Sequence, residues 1–154
     1  MALRVEVIAI QRENAVEIVH DFWSTVWNPP YDLEAIDRFV AEDFVLTTGG
    51  VDVVSREAFK EWVAGFLSMV TDMRLEPVET FQNEDGSRVC SRWVLTGRNN
   101  GVLGTPPQGE PVRMTGTAVW AVAEDGTLRH NWVERNAWEL YRQLAGGTGT
   151  PPPD

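Results

Sequence analysis

Three segments in the second half of the chain share one alternating pattern, and this pattern constrains the fold more than any other feature. In residues 88–99, 112–123 and 127–136, arginines occupy one parity and tryptophans occupy the other. Successive side chains of a β-strand point to opposite faces of a sheet, and a slip of one residue would bury the arginines together. The pattern therefore predicts three strands whose tryptophan face packs on a core and whose arginine face meets solvent. The side chains predicted to face inward are Val89, Ser91, Trp93, Leu95 and Asn99, then Met114, Gly116, Ala118 and Trp120, then Leu128, His130, Trp132 and Glu134.

The first half of the chain has apolar residues at helical spacing. Residues 11–27 carry two adjacent apolar stripes, which predict a helix that contacts a sheet and also a second helix or a cavity. Asn28-Pro29-Pro30 ends this helix, Ser55 begins a later one, and two Asp-Gly pairs predict hairpin turns. Helices followed by an antiparallel meander predict an α+β fold with helices on one face of a curved sheet. The predicted helices cover 11–27, 32–40, 55–70 and 137–144, and the predicted strands cover 43–48, 73–82, 88–99, 112–123 and 127–136.

The length of 154 residues fits one domain with a single core. We assign this domain to residues 11–145. Residues 1–10 are predicted to be an extension, either an extra edge strand or a swapped arm. Residues 146–154, which are rich in Gly and Pro, are predicted to form a disordered tail.

Charge and residue usage exclude several classes of function. Thirteen basic and 23 acidic residues give a net charge of −10, which disfavours nucleic acids and anionic membranes as partners. The single cysteine cannot form an intramolecular disulfide, and two histidines do not suffice for a histidine-rich metal site. We therefore expect no metal and no cofactor. The sequence has no apolar run of about 18 residues and no signal-peptide pattern, so we expect a cytoplasmic protein.

Three motifs carry a resemblance to a known family: WNPPYDLEAIDRFVAEDFVL at 27–46, RWVLTGRNNGVLGTPPQGEPVRMTGTAVWAV at 92–122 and EDGTLRHNW at 124–132. Together with the order of the elements, they resemble the SnoaL-like group of the NTF2-like superfold, which includes polyketide cyclases. The resemblance implies a conical α+β barrel, an apolar pocket open at one end, and a homodimer formed through the sheet. It does not define the activity, because this superfold includes isomerases, epoxide hydrolases, cyclases and non-catalytic binders.

The last predicted strand departs from the family pattern. Related cyclases often have Glu-His-Trp-Asp near its end and another Asp three residues on, and this chain lacks both aspartates and the usual His. An acid or base must then come from His130 or Glu134, on the predicted inward face. At the positions that correspond to this family motif, the chain has His130, Asn131, Trp132, Val133 and Asn136.

Glu134 and His130 are accordingly the predicted catalytic residues. Burial would raise the pKa of the Glu134 carboxyl, and an imidazole titrates at about 6.5. Four residues of strand separate their Cα atoms by about 13 Å, so they would act on different ends of a ligand rather than as a hydrogen-bonded pair. The predicted substrate-binding side chains are Trp23, Trp27, Tyr31, Trp62, Phe66, Ser91, Trp93, Asn99, Met114, Trp120 and Trp132, with Thr48 and His20 as further candidates.

Three functions remain open at this point. The first is a cofactor-independent enzyme that cyclises, isomerises or opens the epoxide of an apolar oxygenated substrate, such as a polyketide or terpenoid, by general acid–base catalysis. The second is a non-catalytic module that binds a small apolar ligand, and the third is a dimeric interaction domain. In the second, the pocket is filled by its own tryptophans or holds a ligand passively, and the third uses the outer face of the sheet. In both, His130 and Glu134 make structural contacts or meet solvent. A cavity on the order of a few hundred Å³ reached by both residues would favour the enzyme.

Overall fold

A computed structural model describes residues 14–146. In this range the chain forms four α-helices and six strands, with short 3-10 turns at Leu33–Ala35 and Val102–Gly104. The predicted extension at 1–10 lies outside the described residues, as does the predicted tail from residue 147 onward, while Gly146 is the last residue of a helix. The helices are α1 (Ala15–Val26), α2 (Ile36–Phe39), α3 (Arg56–Met69) and α4 (Ala137–Gly146); the strands are β1 (Val40–Thr48), β2 (Val51–Val54), β3 (Val70–Gln82), β4 (Arg88–Asn99), β5 (Pro111–Val122) and β6 (Leu128–Arg135).

The strands form one mixed sheet in the order β2-β1-β6-β5-β4-β3. The pairs from β3 to β6 are antiparallel, as the predicted meander requires, whereas β1 lies parallel to β6. Helix α1 packs on β3 and β4, and α3 packs on β1, β2 and β3. The helices therefore lie against one face of a curved, open sheet, which confirms the predicted α+β architecture.

Local sequence signals account for most element boundaries. Ser55 begins α3 as predicted, because its hydroxyl accepts a hydrogen bond from the Ala58 N–H at 3.1 Å. The predicted helix at 32–40 is shorter in the structure, and Val40 already belongs to β1. Strand β2 was not predicted; it has four residues and follows the Gly49-Gly50 turn. Within residues 14–146, no helix is long and apolar enough to span a membrane.

The predicted faces of β4 and β5 are correct. On β4, Trp93 and Leu95 are buried and Arg92 and Arg98 are exposed, and on β5 the same alternation leaves Arg113 in solvent. This agreement follows from the uninterrupted pairing of β4 with β5, from Arg88–Ala121 to Arg98–Pro111. Alternate positions along the sequence therefore correspond directly to the two faces of this part of the sheet.

The predicted face of β6 is wrong beyond Leu128. Leu128 pairs with Val122 and His130 pairs with the next residue, Ala121, so Arg129 is an extra residue on β6. Such a β-bulge inverts the parity of everything that follows it. The buried residue is consequently Asn131, whereas Trp132 is 38% exposed. The side chains predicted to face inward, His130, Trp132 and Glu134, lie on the outer face of the sheet, and Asn131, Val133 and Arg135 lie on the inner face.

Candidate functional site

A cavity of about 60 Å³ lies between α1, α3 and the inner face of the sheet. The apolar stripes of the two helices and the inward parity of the strands supply a mainly hydrocarbon lining. The lining residues are the aromatic Trp23, Trp27, Phe59, Trp62, Phe66 and Trp93, the aliphatic Leu46, Leu75, Leu95, Met114, Ala118 and Val133, and the polar Thr48, Asn131 and Arg135.

An aromatic cluster forms the wall contributed by the helices. The Trp62 and Phe66 rings stack with centroids 5.5 Å apart, and Trp27 meets both rings edge-on at 6.1 and 5.8 Å. Trp62 is partly exposed, whereas Trp27 and Phe66 are buried. The Trp62 ring is therefore a part of the cavity wall that also meets solvent.

Trp93 forms the opposite wall, and its position depends on Gly116. These residues face each other across β4 and β5. A Cβ atom at position 116 would lie 2.2 Å from Cζ2 of Trp93. Because glycine has no Cβ, the indole ring lies directly against the β5 backbone, as is typical of a glycine within a strand.

Two of the polar lining residues are buried without a hydrogen-bond partner. Thr48 is 8% exposed and Asn131 is 7% exposed. Among the described residues, nothing bonds to Oγ1 of Thr48 or Oδ1 of Asn131. A buried polar group left without any partner costs about 1–3 kcal/mol, so a water or a ligand group that bonds to these atoms from the cavity would be favoured.

The third polar lining residue, Arg135, is a cation without an acidic partner in residues 14–146. Its guanidinium lies 5.7 Å from the centre of the Phe66 ring, and its Nη1 lies 4.0 Å from Sδ of Met114. The structure shows no salt bridge from Arg135 to a described carboxylate. Burial lowers the pKa of this guanidinium, because a charged group loses solvation where it is partly buried.

Six of the eleven predicted substrate-binding residues line the cavity. Their inward placement follows from the helical stripes and from the parity of β4 and β5, which the structure confirms. Their role in binding a substrate remains a prediction. These residues are Trp23, Trp27, Trp62, Phe66, Trp93 and Met114.

The other five do not line it. Trp120 is buried in the core, where its ring meets Phe22 and Phe44 at centroid distances of 5.5 and 6.3 Å. The Tyr31 hydroxyl donates to the Met73 carbonyl at 2.5 Å. Trp132 is on the outer face because of the β-bulge at Arg129. Ser91 and Asn99 are buried, but the protein occupies their polar atoms.

Asn99 holds the loop that follows β4. Its amide donates to Oγ1 of Thr105 and to the Pro106 carbonyl, and its Oδ1 accepts from the N–H groups of Gly101 and Val102, all at 2.9–3.0 Å. Asn99 has no capacity left for a ligand and has a structural role.

Ser91 belongs to a second internal network. Its Oγ lies 2.8 Å from Oγ1 of Thr80, which lies 2.8 Å from Nε2 of His20. His20, a weaker candidate from the sequence, is therefore held by β3 and does not line the cavity.

The predicted catalytic residues do not reach the cavity. Nε2 of His130 lies 2.8 Å from Oγ1 of Thr47, which donates to Oδ1 of Asp52 at 2.6 Å, and the imidazole stacks on Trp132 at 3.8 Å. Partial burial lowers the pKa of His130; Arg88 acts in the same direction and Asp52 opposes it. Glu134 is exposed and lines an outer groove of about 610 Å³. The geometry gives no support for catalysis by either residue inside the cavity.

Sequence reasoning missed most of the polar wall. Thr48 was a secondary candidate, and nothing in the sequence marks the bulge that turns Asn131 and Arg135 inward. The other lining residues absent from the predicted set are apolar. Two of them, Leu95 and Ala118, were on the predicted inward faces of β4 and β5, so parity alone would have been sufficient to find these two.

The cavity has an unusual chemical character. From residues 14–146, its lining includes no Asp, Glu, His, Cys, Lys or Tyr, so Arg135 is its ionisable group. It can hold a hydrocarbon, donate hydrogen bonds and stabilise negative charge, but it offers no carboxylate or imidazole as a proton acceptor. In the part of the chain that the structure describes, no group of three or more His, Cys, Asp and Glu residues could hold a metal ion.

The fold and its interior cavity define an NTF2-like α+β cone. Within this class, the family model of the SnoaL-like polyketide cyclases matches residues 17–144. The chain therefore belongs to the SnoaL-like polyketide cyclase family, which confirms the resemblance seen in its motifs. A comparison with curated proteins found no match.

Solved structures support the same fold. A candidate SnoaL-like polyketide cyclase from Jannaschia sp. CCS1 is 16% identical with a TM-score of 0.75, covering 90% of this chain and 94% of its own. The candidate polyketide cyclase IdmH from Streptomyces antibioticus is 22% identical with a TM-score of 0.72, covering 84% and 97%. A protein of ketosteroid isomerase-like fold from Catenulispora acidiphila, in complex with trimethylamine, is 17% identical with a TM-score of 0.67, covering 84% and 92%. At these identities, the likeness shows the fold alone.

Proposed function

We propose that this chain is a cofactor-independent enzyme of the cyclase type that acts on an apolar, oxygenated small molecule such as a polyketide or terpenoid. The observation that carries the proposal is the aromatic cavity at which Oγ1 of Thr48 and Oδ1 of Asn131 have no hydrogen-bond partner within residues 14–146. Hydrocarbon walls with a few convergent polar groups are typical of small-molecule sites. Membership of the SnoaL-like family supports the same class of reaction.

The size of the cavity requires the wall to move when a substrate enters. Ligand pockets commonly enclose about 300–1,000 Å³, several times the space of about 60 Å³ found here. Trp62 is the partly exposed ring of the wall. We therefore include in the proposal an outward movement of Trp62 that admits the substrate.

The lining limits the mechanism. With no carboxylate or imidazole lining the cavity from the described residues, the protein would act by holding a reactive conformation and by stabilising an anionic oxygen. Arg135, Asn131 and Thr48 supply the hydrogen-bond donors for this purpose. Catalysis by His130 and Glu134 is not part of the proposal.

The same lining favours a second function, the non-catalytic binding of a small ligand. A cavity without a general base suits passive binding of a ligand as well as it suits catalysis. Turnover distinguishes the two: an enzyme converts a bound polyketide-like compound into an isomer or a dehydrated product, which mass spectrometry and chromatography detect. A binder returns the compound unchanged.

Binding itself is tested by calorimetric titration with anthraquinones, flavonoids, linear diketones and terpenoid epoxides. Trp62→Ala should bind the bulkier compounds at least about tenfold more tightly than the wild type, because the wall no longer has to open. Trp138→Ala is the matched control, since Trp138 is 64% exposed and lies outside the cavity. If no compound binds to the wild type or to Trp62→Ala, the proposed function is wrong.

We also propose that the protein forms a homodimer through the outer face of the sheet. The proposal includes that it acts in the cytoplasm, without a nucleic-acid or membrane partner. Val54, Phe81 and Trp132 expose apolar surface on the strands. Trp132→Glu should produce a monomer in sedimentation velocity. Val51→Glu, at an exposed residue of opposite parity on β2, should stay dimeric. A monomeric wild type at high micromolar concentration would contradict the dimer.

A further inference from the structure

We propose that Arg135, Asn131 and Thr48 bind the carboxylate of an apolar organic acid, so that the ligand of the cavity carries one negative charge at one end. This inference rests on the proposed function, since it requires the cavity to admit a small molecule. It adds a chemical class of ligand and a site that binds its charged group.

The three side chains occupy one patch of the wall. In the parallel ladder between β1 and β6, Leu46 pairs with Asn131 and Thr48 pairs with Val133. Alternate residues of a strand share a face, so Asn131, Val133 and Arg135 follow one another along the inner side of β6. Thr48 lies beside Val133, between the two polar residues of β6. All these residues line the cavity.

The polar atoms of this patch differ from the other buried amides of the fold. Asn99 makes four hydrogen bonds within the protein. Asn28 makes three, to the Trp23 carbonyl and to both backbone groups of Leu75. Within residues 14–146, Oγ1 of Thr48 and Oδ1 of Asn131 have none. Oε1 of Glu110 and Nε1 of Trp120 are also buried without a partner in this range, but these residues do not line the cavity. Because Thr48 and Asn131 do line it, we assign their unsatisfied atoms to a partner that enters from the cavity.

The charge of the patch selects an anion. Arg135 has only donors, and the Thr48 hydroxyl can donate. Asn131 donates only through Nδ2, so its amide must be turned to place Nδ2 at the anion instead of the acceptor Oδ1. No carboxylate from the described residues lines the cavity, although the chain as a whole carries a net charge of −10. The aromatic rings would suit an ammonium ion, but the guanidinium would repel it. Arg135 also borders the outer groove, which Glu134 and Glu139 line without a salt bridge to it. On the cavity side Arg135 is the charged group, so the cavity is a local positive site in an acidic protein.

The shape and number of the groups favour a carboxylate over a more highly charged anion. A planar guanidinium matches the two oxygens of a carboxylate. One cation with two neutral donors suits one negative charge, and the hydrocarbon lining suits an apolar remainder. A short-chain or aryl carboxylic acid has this combination.

The test compares propionate with propionamide, which has nearly the same shape and no charge, by titration calorimetry. The wild type should prefer propionate by at least about tenfold, or about 1.4 kcal/mol. Arg135→Met should lose the preference and keep its affinity for propionamide. Arg92→Met, at an exposed arginine of β4, is the matched control and should keep the preference. Asn131→Leu and Thr48→Val should each reduce it. Benzoate and benzamide, titrated into Trp62→Ala, repeat the comparison with larger ligands.

Thermal unfolding supplies a readout that does not depend on any ligand. An arginine held for a ligand, with no carboxylate partner within residues 14–146, contributes little to the fold beyond its contacts with Phe66 and Met114. Arg135→Met, which keeps an apolar side chain there, should therefore melt at the same temperature as the wild type or higher. A Tm several degrees lower would give Arg135 a structural role and overturn the inference.

The remaining outcomes separate the two proposals. Equal affinity for the acid and the amide, unchanged in Arg135→Met, would overturn this inference and leave the proposed function standing. Chloride that displaces propionate at equal affinity would identify a general small-anion site and would also overturn it. If neither member of either pair binds to the wild type or to Trp62→Ala, this inference is overturned. The titration with anthraquinones, flavonoids, linear diketones and terpenoid epoxides then decides separately whether the proposed function stands.

Discussion

Replacing Gly116 with alanine tests the contact that positions the Trp93 wall. The added Cβ would lie 2.2 Å from Cζ2 of Trp93 and 2.7 Å from its Cε2 and Cη2 atoms. Three ring atoms closer than van der Waals contact cannot be relieved by turning a flexible end group, because the indole is rigid and Trp93 is only 7% exposed. The ring must tilt into the cavity of about 60 Å³, or the strands must separate.

The expected change in the free energy of unfolding is the sum of two opposing effects. Overpacking of this kind costs about 1–3 kcal/mol. Alanine restricts the unfolded chain more than glycine does, which returns about 0.4–1 kcal/mol. We therefore expect Gly116→Ala to lower the free energy of unfolding by about 1–2 kcal/mol, or the Tm by about 2–8 °C for a domain of this size. The tilted ring should also weaken binding of any cavity ligand.

Urea denaturation followed by circular dichroism measures the change. Gly65→Ala is the matched control: this glycine lies in α3 with no atom within 4 Å of the added Cβ, so the same substitution should stabilise the protein by about 0.5–1 kcal/mol. In a Trp93→Phe background, which removes the larger ring, Gly116→Ala should cost at least about 1 kcal/mol less. An equal cost in both backgrounds would refute the assignment of the clash to Trp93.

Two further predictions concern residues outside the cavity. Asn99→Ala removes four hydrogen bonds from a buried loop and should lower the free energy of unfolding by about 2–4 kcal/mol, measured in urea; a loss no larger than that of the exposed Asn100→Ala would contradict its structural role. For His130, partial burial and Arg88 lower the pKa below its ordinary value, against the opposing effect of Asp52. The folded state therefore favours neutral imidazole, so this contribution to stability is complete above pH about 6.5 and is lost as the pH falls through the lower folded pKa. NMR titration should place the His130 pKa below that of an unfolded peptide and His130→Gln should weaken the pH dependence of unfolding in this range; a raised pKa would contradict the assigned cause.

The sequence by itself determined the class of fold, the order of the elements and the faces of β4 and β5. These features depend on local periodicity: every second residue of a strand faces one way, and Arg92 and Trp93 cannot both be in solvent or both be buried without a large cost. The apolar stripes of the helices placed Trp23, Trp27, Trp62 and Phe66 on the side that faces the sheet. Their placement on these stripes depends only on helical spacing and needs no knowledge of distant parts of the chain.

Only the tertiary structure decided what the polar wall contains. The bulge at Arg129 is a property of the pairing of β6 with β5, not of the residues around it, because an extra residue is defined only against a partner strand. It moved His130, Trp132 and Glu134 to the outer face, and it brought Asn131 and Arg135 inward. The long-range pairing of β1 with β6 then set Thr48 beside them. The sequence therefore determined that a cavity with aromatic walls would form. The register of distant strands determined that, of the described residues, its lining contains an arginine without a carboxylate partner instead of His130 and Glu134.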